Sequence, residues 1–442
     1  MCMDRISEQH QYPDKIHAYS TVSVLVLANI MSFIDRQVPA MLVGPIKADF
    51  NISDSEVAFL IGFAFSATYA IIALPIGFAV DRMKRKIVLG SGILLWSFMT
   101  MAAVFATSYK RLLGARMGVA VGEAVIAPVS VSLVSDSFPE HQRGKAMGVV
   151  TAGVYIGIGI SLIGGGYLID YLTDLGGFTL PFVGHVKPWQ GAFMIAGFPG
   201  IVIALSAFAL NEPSRKQIIQ HTQSNVIGKD LIDHIKNHKK TLFYLLTGLL
   251  FMAMIFYSFS AWAPTMMVRT YGLSLSEVGM KLGIITILAS IFGAIAAGTV
   301  ADKLTEKGHK DGPARAAMIA CLFALPGIAL APLMESITAA WVLLAIYLFF
   351  ISSYATLGLL SVGAVSGSAV KGQMTAFFAL LMMISGILGP QITAGFTDFV
   401  FMDESKLNWS VALTGGLTLP IAIFLFFLSL PHIRNSIDRL ED

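Results

Sequence analysis

The chain has 442 residues, of which 55% are hydrophobic and only 13% charged, with a mean hydropathy of +0.73. An ordinary soluble domain carries about 25% charged residues, so this composition excludes a soluble globular protein and points to an integral membrane protein. A net charge of +3 gives no footing for nucleic-acid binding, and Cys2 and Cys321, far apart in sequence, support neither a disulfide framework nor a metal site.

In chain order, residues 1–19 form a polar tail of mixed charge without the apolar core of a signal peptide. About 20 apolar residues cross the hydrocarbon core as a helix, and twelve stretches qualify: 20–43, 56–80, 87–107, 109–135, 145–170, 190–210, 241–267, 277–301, 314–334, 338–364, 371–398 and 408–430. These are spans 1 to 12. They predict an all-α polytopic protein with two six-helix bundles, 20–210 and 241–430, a linker at 211–240 and a tail at 431–442. Basic loops stay in the cytoplasm. With both termini there, that side collects 21 of the 30 Lys and Arg residues, against 7 outside. The topology expected therefore has both termini in the cytoplasm.

The linker carries six basic residues and helix-compatible apolar positions at Val226, Ile227, Leu231, Ile232 and Ile235. It reads as an interfacial helix on anionic lipid, or equally as a solvated linker. His141, His185, His221, His234, His238 and His309 fall in loops, where solvation is the default.

The two halves repeat. Gly77-Phe78-Ala79-Val80-Asp81-Arg82 after span 2 matches Gly298-Thr299-Val300-Ala301-Asp302-Lys303 after span 8, and Arg143-Gly144-Lys145 before span 5 matches Lys371-Gly372-Gln373 before span 11. The displacements are 221 and 228 residues. Two halves of parallel topology, with a site between them near the midplane, are the plan of a transporter built from repeats.

Charge inside the spans marks that site. Arg116 and Glu123 lie seven residues apart in span 4, two turns on nearly one face, and Asp35-Arg36 interrupts span 1. Each charge at mid-membrane costs roughly 2.5–3.5 kcal/mol, so such residues face protein or water. Depth arithmetic puts Asp35 and Arg116 about 10–12 Å below the outer surface, with Glu123 about 10 Å deeper. An Asp35–Arg116 pair and a less restrained Glu123 follow. The alternative is a static ion pair that merely holds the helices together. Gly153, Gly157, Gly159, Gly164, Gly165 and Gly166 in span 5 read as close helix packing rather than a phosphate loop. The sequence holds no ATP-binding P-loop, no zinc helix and no nucleophile elbow, so it is not read as an enzyme and no cofactor is expected.

GFAVDRMKRK at 77–86 resembles the loop motif of the major facilitator superfamily, and RMGVAVGEA at 116–124 resembles its helix-4 motif. With SFIDRQVP at 32–39 and ISDSEVAFL at 52–60, the chain is most similar to the Spinster-type branch, which includes lysolipid and sphingosine-1-phosphate transporters. The resemblance implies the twelve-helix major facilitator fold, and a proton-coupled transporter of an amphipathic or lipid-like molecule working by rocking alternating access. The partners expected are that substrate, protons and membrane lipid, with the protein a monomer. A small organic anion such as a sugar acid is the alternative substrate, and a non-transporting receptor on the same fold the more distant reading. Asp35, Arg36, Arg116 and Glu123 would handle proton and headgroup. Asp81, Arg82, Arg85, Asp136, Arg143 and Asp302 would form the cytoplasmic gate, although the basic loop residues would also serve to set topology. Tyr257, Trp262, Tyr347, Ser353, Tyr354 and Met382 would line an aromatic and apolar wall in the C-terminal half.

Overall fold

In the computed structural model, residues 12–181, 183–215, 229–367 and 370–441 are described. Twelve helices among them are long and apolar enough to cross a membrane: Lys15–Met41, Asp54–Arg82, Arg85–Phe105, Tyr109–Ser137, His141–Asp174, Pro188–Phe208, Lys239–Tyr271, Leu275–Glu306, Gly312–Leu333, Ile337–Ala364, Lys371–Phe401 and Glu404–Leu440. All twelve spans stand where hydropathy puts them, mostly with a turn or two of extra helix. Large apolar side chains such as Ile71, Leu74, Phe292, Ile295, Phe424 and Phe427 face outward, which only a lipid environment makes inexpensive.

The chain divides into two compact units. Unit 1 is Met1–Asn51, Ala64–Gln220 and Leu275–Gly283; unit 2 is Ile52–Phe63, His221–Ser274 and Ile284–Asp442. The sequence predicts a cut in the linker alone, but the start of span 2 groups with unit 2 and the start of span 8 with unit 1. Side chains explain this. Within unit 2, Arg269 of span 7 donates to both carboxylate oxygens of buried Asp54, at 2.7 and 3.0 Å, and Asp398 accepts from the Ser55 amide at 2.6 Å. Within unit 1, Asp170 of span 5 accepts from the Ser276 amide at 2.9 Å. A π-turn at Phe59–Phe63 lies where span 2 passes from one unit to the other.

Helix packing in unit 1 depends on small residues. A Cβ on Gly122 would sit 2.6 Å from the Trp96 amide nitrogen and 2.7 Å from the Gly92 carbonyl, so spans 3 and 4 meet backbone to backbone there. A Cβ on Gly157 would lie 2.6 Å from the Ile30 carbonyl, which brings span 5 equally close to span 1.

Two spans are broken in the middle at positions the repeat relates. Span 4 is helical over Tyr109–Glu123 and again over Ile126–Ser137; span 10 is helical over Ile337–Ile351 and again over Tyr354–Ala364. Both edges of the break are displaced by 228 residues, the offset already seen before spans 5 and 11. A short hairpin that hydropathy does not reveal, β1 (Phe178–Leu180) antiparallel to β2 (Gly184–Val186), connects spans 5 and 6.

In the linker, Lys229–Asn237 is helical; Val226 and Ile227 lie outside the described residues. The helix has one exposed apolar edge and one packed face. Ile232 and Ile235 are exposed, while His234 and His238 are 8% and 7% exposed, with ring centroids 4.6 Å apart. This corrects their reading as solvated loop residues. His238 Nδ1 meets the Ser436 hydroxyl of span 12 at 2.8 Å. The 3.6-residue period places 231, 234 and 238 on one face and 232, 235 and 239 on another.

Two predictions follow from this packing. Gly122→Val has to separate two backbones and is expected to cost about 1–3 kcal/mol, read as a lower melting temperature in detergent; Gly114→Ala, with open space around its Cβ position, leaves that temperature unchanged. Burial, and then the neighbouring His238, hold the His234 imidazole below its ordinary value; burial, and then Arg439, do the same for His238. Free imidazoles titrate at about 6.5, so the released linker binds protons that the docked one refuses. Docking is therefore complete above about pH 6.5 and is lost as the pH falls below it. Amide exchange over 229–238 should be faster at about pH 5.5 than at about pH 7.5 relative to the intrinsic rate; equal protection at both would refute the docking account.

Candidate functional site

Spans 1 and 4 bring all four intramembrane charges together inside unit 1. Asp35 and Glu123 are fully buried, Arg116 nearly so, and the Arg36 side chain keeps 22% of its surface exposed. The pairing differs from the expected one. Arg36 Nε donates to Glu123 Oε2 at 2.6 Å, and the Ser32 hydroxyl, one turn earlier on span 1, donates to the same oxygen at 2.6 Å. Arg116 Nη1 instead donates to the backbone carbonyl of Asp35 at 3.1 Å. Neither Asp35 carboxylate oxygen nor Glu123 Oε1 has a partner of hydrogen-bond geometry. Thr100, Glu123 and Arg116 are the polar neighbours of Asp35.

Glu123 is thus the restrained carboxylate and Asp35 the unpartnered one, the reverse of the reading from depth. Depth gives height along a helix but not direction around it. Residues 35 and 36 point about 100° apart, so when Arg36 faces Glu123 the Asp35 side chain cannot.

Aromatic rings surround the cations. The Arg36 guanidinium carbon lies 4.5 Å from the Phe65 ring centroid, 4.8 Å from Phe33 and 5.5 Å from Tyr69; Arg116 lies 5.7 Å from the same Phe65 ring. All are within the range of a cation–π attraction. Phe65 and Tyr69 sit four apart on span 2, one turn of a single face. The sequence shows an aromatic span but not which charge it meets.

A second cluster gathers on Arg85, which is fully buried. It pairs with Asp136 of span 4, with Glu212 Oε1 at 2.9 Å and with the Ser132 hydroxyl at 3.0 Å, and donates to the Pro213 carbonyl at 2.6 Å. Burial alone would raise the Glu212 carboxyl, but the hydrogen bonds and charge of Arg85 outweigh it and hold it below the usual carboxylate range. Arg215 donates to the carbonyls of Val80, Asp81 and Met83 and so caps the end of span 2. Glu212 and Arg215 were not singled out in the sequence, because a charged pair in a polar linker carries no pattern.

Of the predicted gate residues, the structure joins Arg85 and Asp136. Arg143 donates to the Phe138 carbonyl at 3.1 Å and so holds the end of span 4. Asp81 and Arg82 have exposed side chains. In unit 2, exposed Asp302 lines a cavity of about 450 Å³ with Thr305, Glu306 and Lys310. There too Asp311 accepts from Arg315 at 2.7 Å and Arg434 at 2.8 Å, and the two arginines overcome its burial to hold its carboxyl below the usual range.

The predicted aromatic wall of unit 2 separates into two groups. Trp262 and Tyr347 are fully buried, donating to the carbonyls of Pro390 and Ile255 at 3.0 Å each, and Ser353 donates to the Phe350 carbonyl at 2.6 Å. Trp262 and Tyr347 tie span 7 to spans 11 and 10, Ser353 bonds within span 10, and all three are buried, since buried polar groups must find partners in lipid. Met382 is buried as well. Tyr257 is partly exposed and meets Tyr354 hydroxyl to hydroxyl at 3.5 Å, with the Phe256 ring centroid 4.5 Å from that of Tyr354.

Comparison with known proteins agrees with this architecture. The chain is 28% identical over 296 residues to an MFS-type efflux pump of Mycolicibacterium smegmatis, covering 66% of this chain and 64% of the pump. It is 26% identical over 323 residues to a D-galactonate transporter of Escherichia coli, covering 69% and 71%. The fold superposes with a TM-score of 0.76, at 22% identity, on the crystal structure of a bacterial homolog of the human lysosomal transporter Spinster in an inward-facing, unoccupied conformation, covering 97% of this chain and 98% of that one. The family model of the Major Facilitator Superfamily matches residues 25–390, and the chain belongs to that family of membrane transporters.

Proposed function

We propose that the protein is a proton-coupled, Spinster-type transporter of an amphipathic anion, in which Arg36 binds the headgroup and Glu123 and Asp35 carry protons. The observation that supports this most directly is the Arg36–Glu123 ion pair, buried at the glutamate and partly open at the arginine. An anionic headgroup and the Glu123 carboxylate compete for one guanidinium. Protonation of Glu123 frees Arg36 for the substrate, and a bound substrate favours protonation of Glu123. The two events are therefore coupled and the coupling is reciprocal. Asp35, buried beside them without a hydrogen-bond partner, is a second place for a proton, since a charge left there is expensive. Phe33, Phe65 and Tyr69 around Arg36 give the headgroup an apolar border that suits an amphipathic molecule.

A sugar acid is the second reading, favoured by the similarity to the galactonate transporter over two thirds of the chain; Arg36 and Arg116 would then clamp its carboxylate. On either reading both termini are cytoplasmic, as the excess of basic residues on that side supports, the membrane is a bacterial inner membrane, and the monomer is the working unit because one chain holds the whole constellation.

Reconstituted protein should move lysophosphatidate faster when a pH gradient is imposed, and flux indifferent to the gradient removes the coupling. Galactonate transported in its place would select the second reading. Glu123→Gln and Asp35→Asn should each abolish gradient-driven flux while leaving the melting temperature within a few degrees of wild type; if both transport normally, the site is misassigned. Arg36→Gln should weaken binding of the transported anion by roughly tenfold or more, measured by equilibrium titration in detergent.

A further inference from the structure

We infer that Phe65 is a positioning residue that keeps Arg36 in place as the headgroup cation while Glu123 is neutral. This rests on the reading of Arg36 given above. In the ion pair, Glu123 supplies the charge that holds Arg36. The proposed cycle removes that charge at the moment Arg36 is needed for an anion. A guanidinium on a long side chain is held less firmly once that charge is gone and gains rotamer freedom, and its headgroup site loosens with it. The faces of aromatic rings attract a cation and do not titrate, so they hold Arg36 whatever the protonation of Glu123.

Three rings meet Arg36, but Phe65 does more than the others. It makes the shortest of the three contacts, at 4.5 Å, and it alone also meets Arg116, at 5.7 Å. It is buried, where a cation–π attraction is stronger than in water. One ring thus fixes the place of both cations. The ring's position is itself set by the backbone: the π-turn at Phe59–Phe63 ends just before it, and an extra residue per turn rotates everything that follows by about 100°. Phe65 and Tyr69 therefore face spans 1 and 4, while an uninterrupted helix would turn them elsewhere.

The test separates the ring's charge distribution from its size. Fluorinated phenylalanines incorporated at 65 drain electron density from the ring face while leaving its shape nearly unchanged. Binding of lysophosphatidate, and of galactonate in parallel, is titrated in detergent at a pH low enough to saturate binding, for wild type, the mono-, di- and trifluoro series, Phe65→Trp, Phe65→Leu and Arg36→Gln. The expected result is a stepwise loss along the fluorine series reaching roughly tenfold, a similar loss for Phe65→Leu, and affinity retained in Phe65→Trp. A fluorine series that binds as wild type does, while Arg36→Gln loses binding, overturns the role of Phe65 and leaves the Arg36 reading intact. If Arg36→Gln also binds as wild type does, or if neither probe binds the wild type, the Arg36 reading fails and this inference fails with it. Should Phe65→Leu not fold, the fluorine series and Phe65→Trp still decide.

Discussion

A glutamate and an arginine paired in the interior of a membrane protein impose conditions on everything near them. Removing one partner of a buried pair costs about 3–5 kcal/mol, because the other is left charged and alone. The structure meets that condition at Glu123 in several ways. Ser32 shares the Oε2 oxygen with Arg36, and aromatic faces meet the guanidinium. Span 4 reaches span 3 through Gly122 and Gly92, and span 5 reaches span 1 through Gly157. Bulkier residues at these points would push apart the helices that carry the pair. The glycines near the motifs are thus part of the electrostatics, since a pair at 2.6 Å cannot survive a backbone shift of an ångström.

What could be read from the sequence, and what could not, divides along one physical line. Bilayer thickness fixes how many apolar residues make a span, so all twelve spans and the four intramembrane charges are visible in the chain. Direction around a helix axis is not, when nearly every position is apolar. That is why depth pairs Asp35 with Arg116 while the structure pairs Arg36 with Glu123. Trp262 and Tyr347 fail for the same reason: an aromatic in a span looks alike whether it faces a ligand or donates to a neighbouring carbonyl. Outside the membrane a different rule misleads. Glu212, Arg215, His234 and His238 sit in polar sequence where solvation is the default, and only the fold shows that the glutamate is clasped by Arg85, that His238 is bonded to span 12 and that the His234 ring lies against His238.

The repeat places its backbone features and its chemistry differently. The halves share the break in the middle of spans 4 and 10 and the division of spans 2 and 8 between units, so these belong to the common plan. The side chains at the breaks do not match. Span 4 ends its first segment on Glu123, while span 10 has Ser352 after its first segment, bonded to the Ser290 hydroxyl at 2.7 Å and the Leu348 carbonyl at 2.6 Å. Neutral hydroxyls need no counter-charge, so the span 10 break keeps its partners at any pH.

The span 4 break has no such independence. Its glutamate holds a cation on span 1 whose side chain is partly exposed, so the strength of the link between spans 1 and 4 varies with whatever else can claim that cation or supply a proton. Of the two breaks that the repeat relates, one is therefore held by neutral hydrogen bonds and the other by charge. An agent that changes charge, whether a proton or an anion, therefore acts on the break in span 4 and not on its counterpart in span 10.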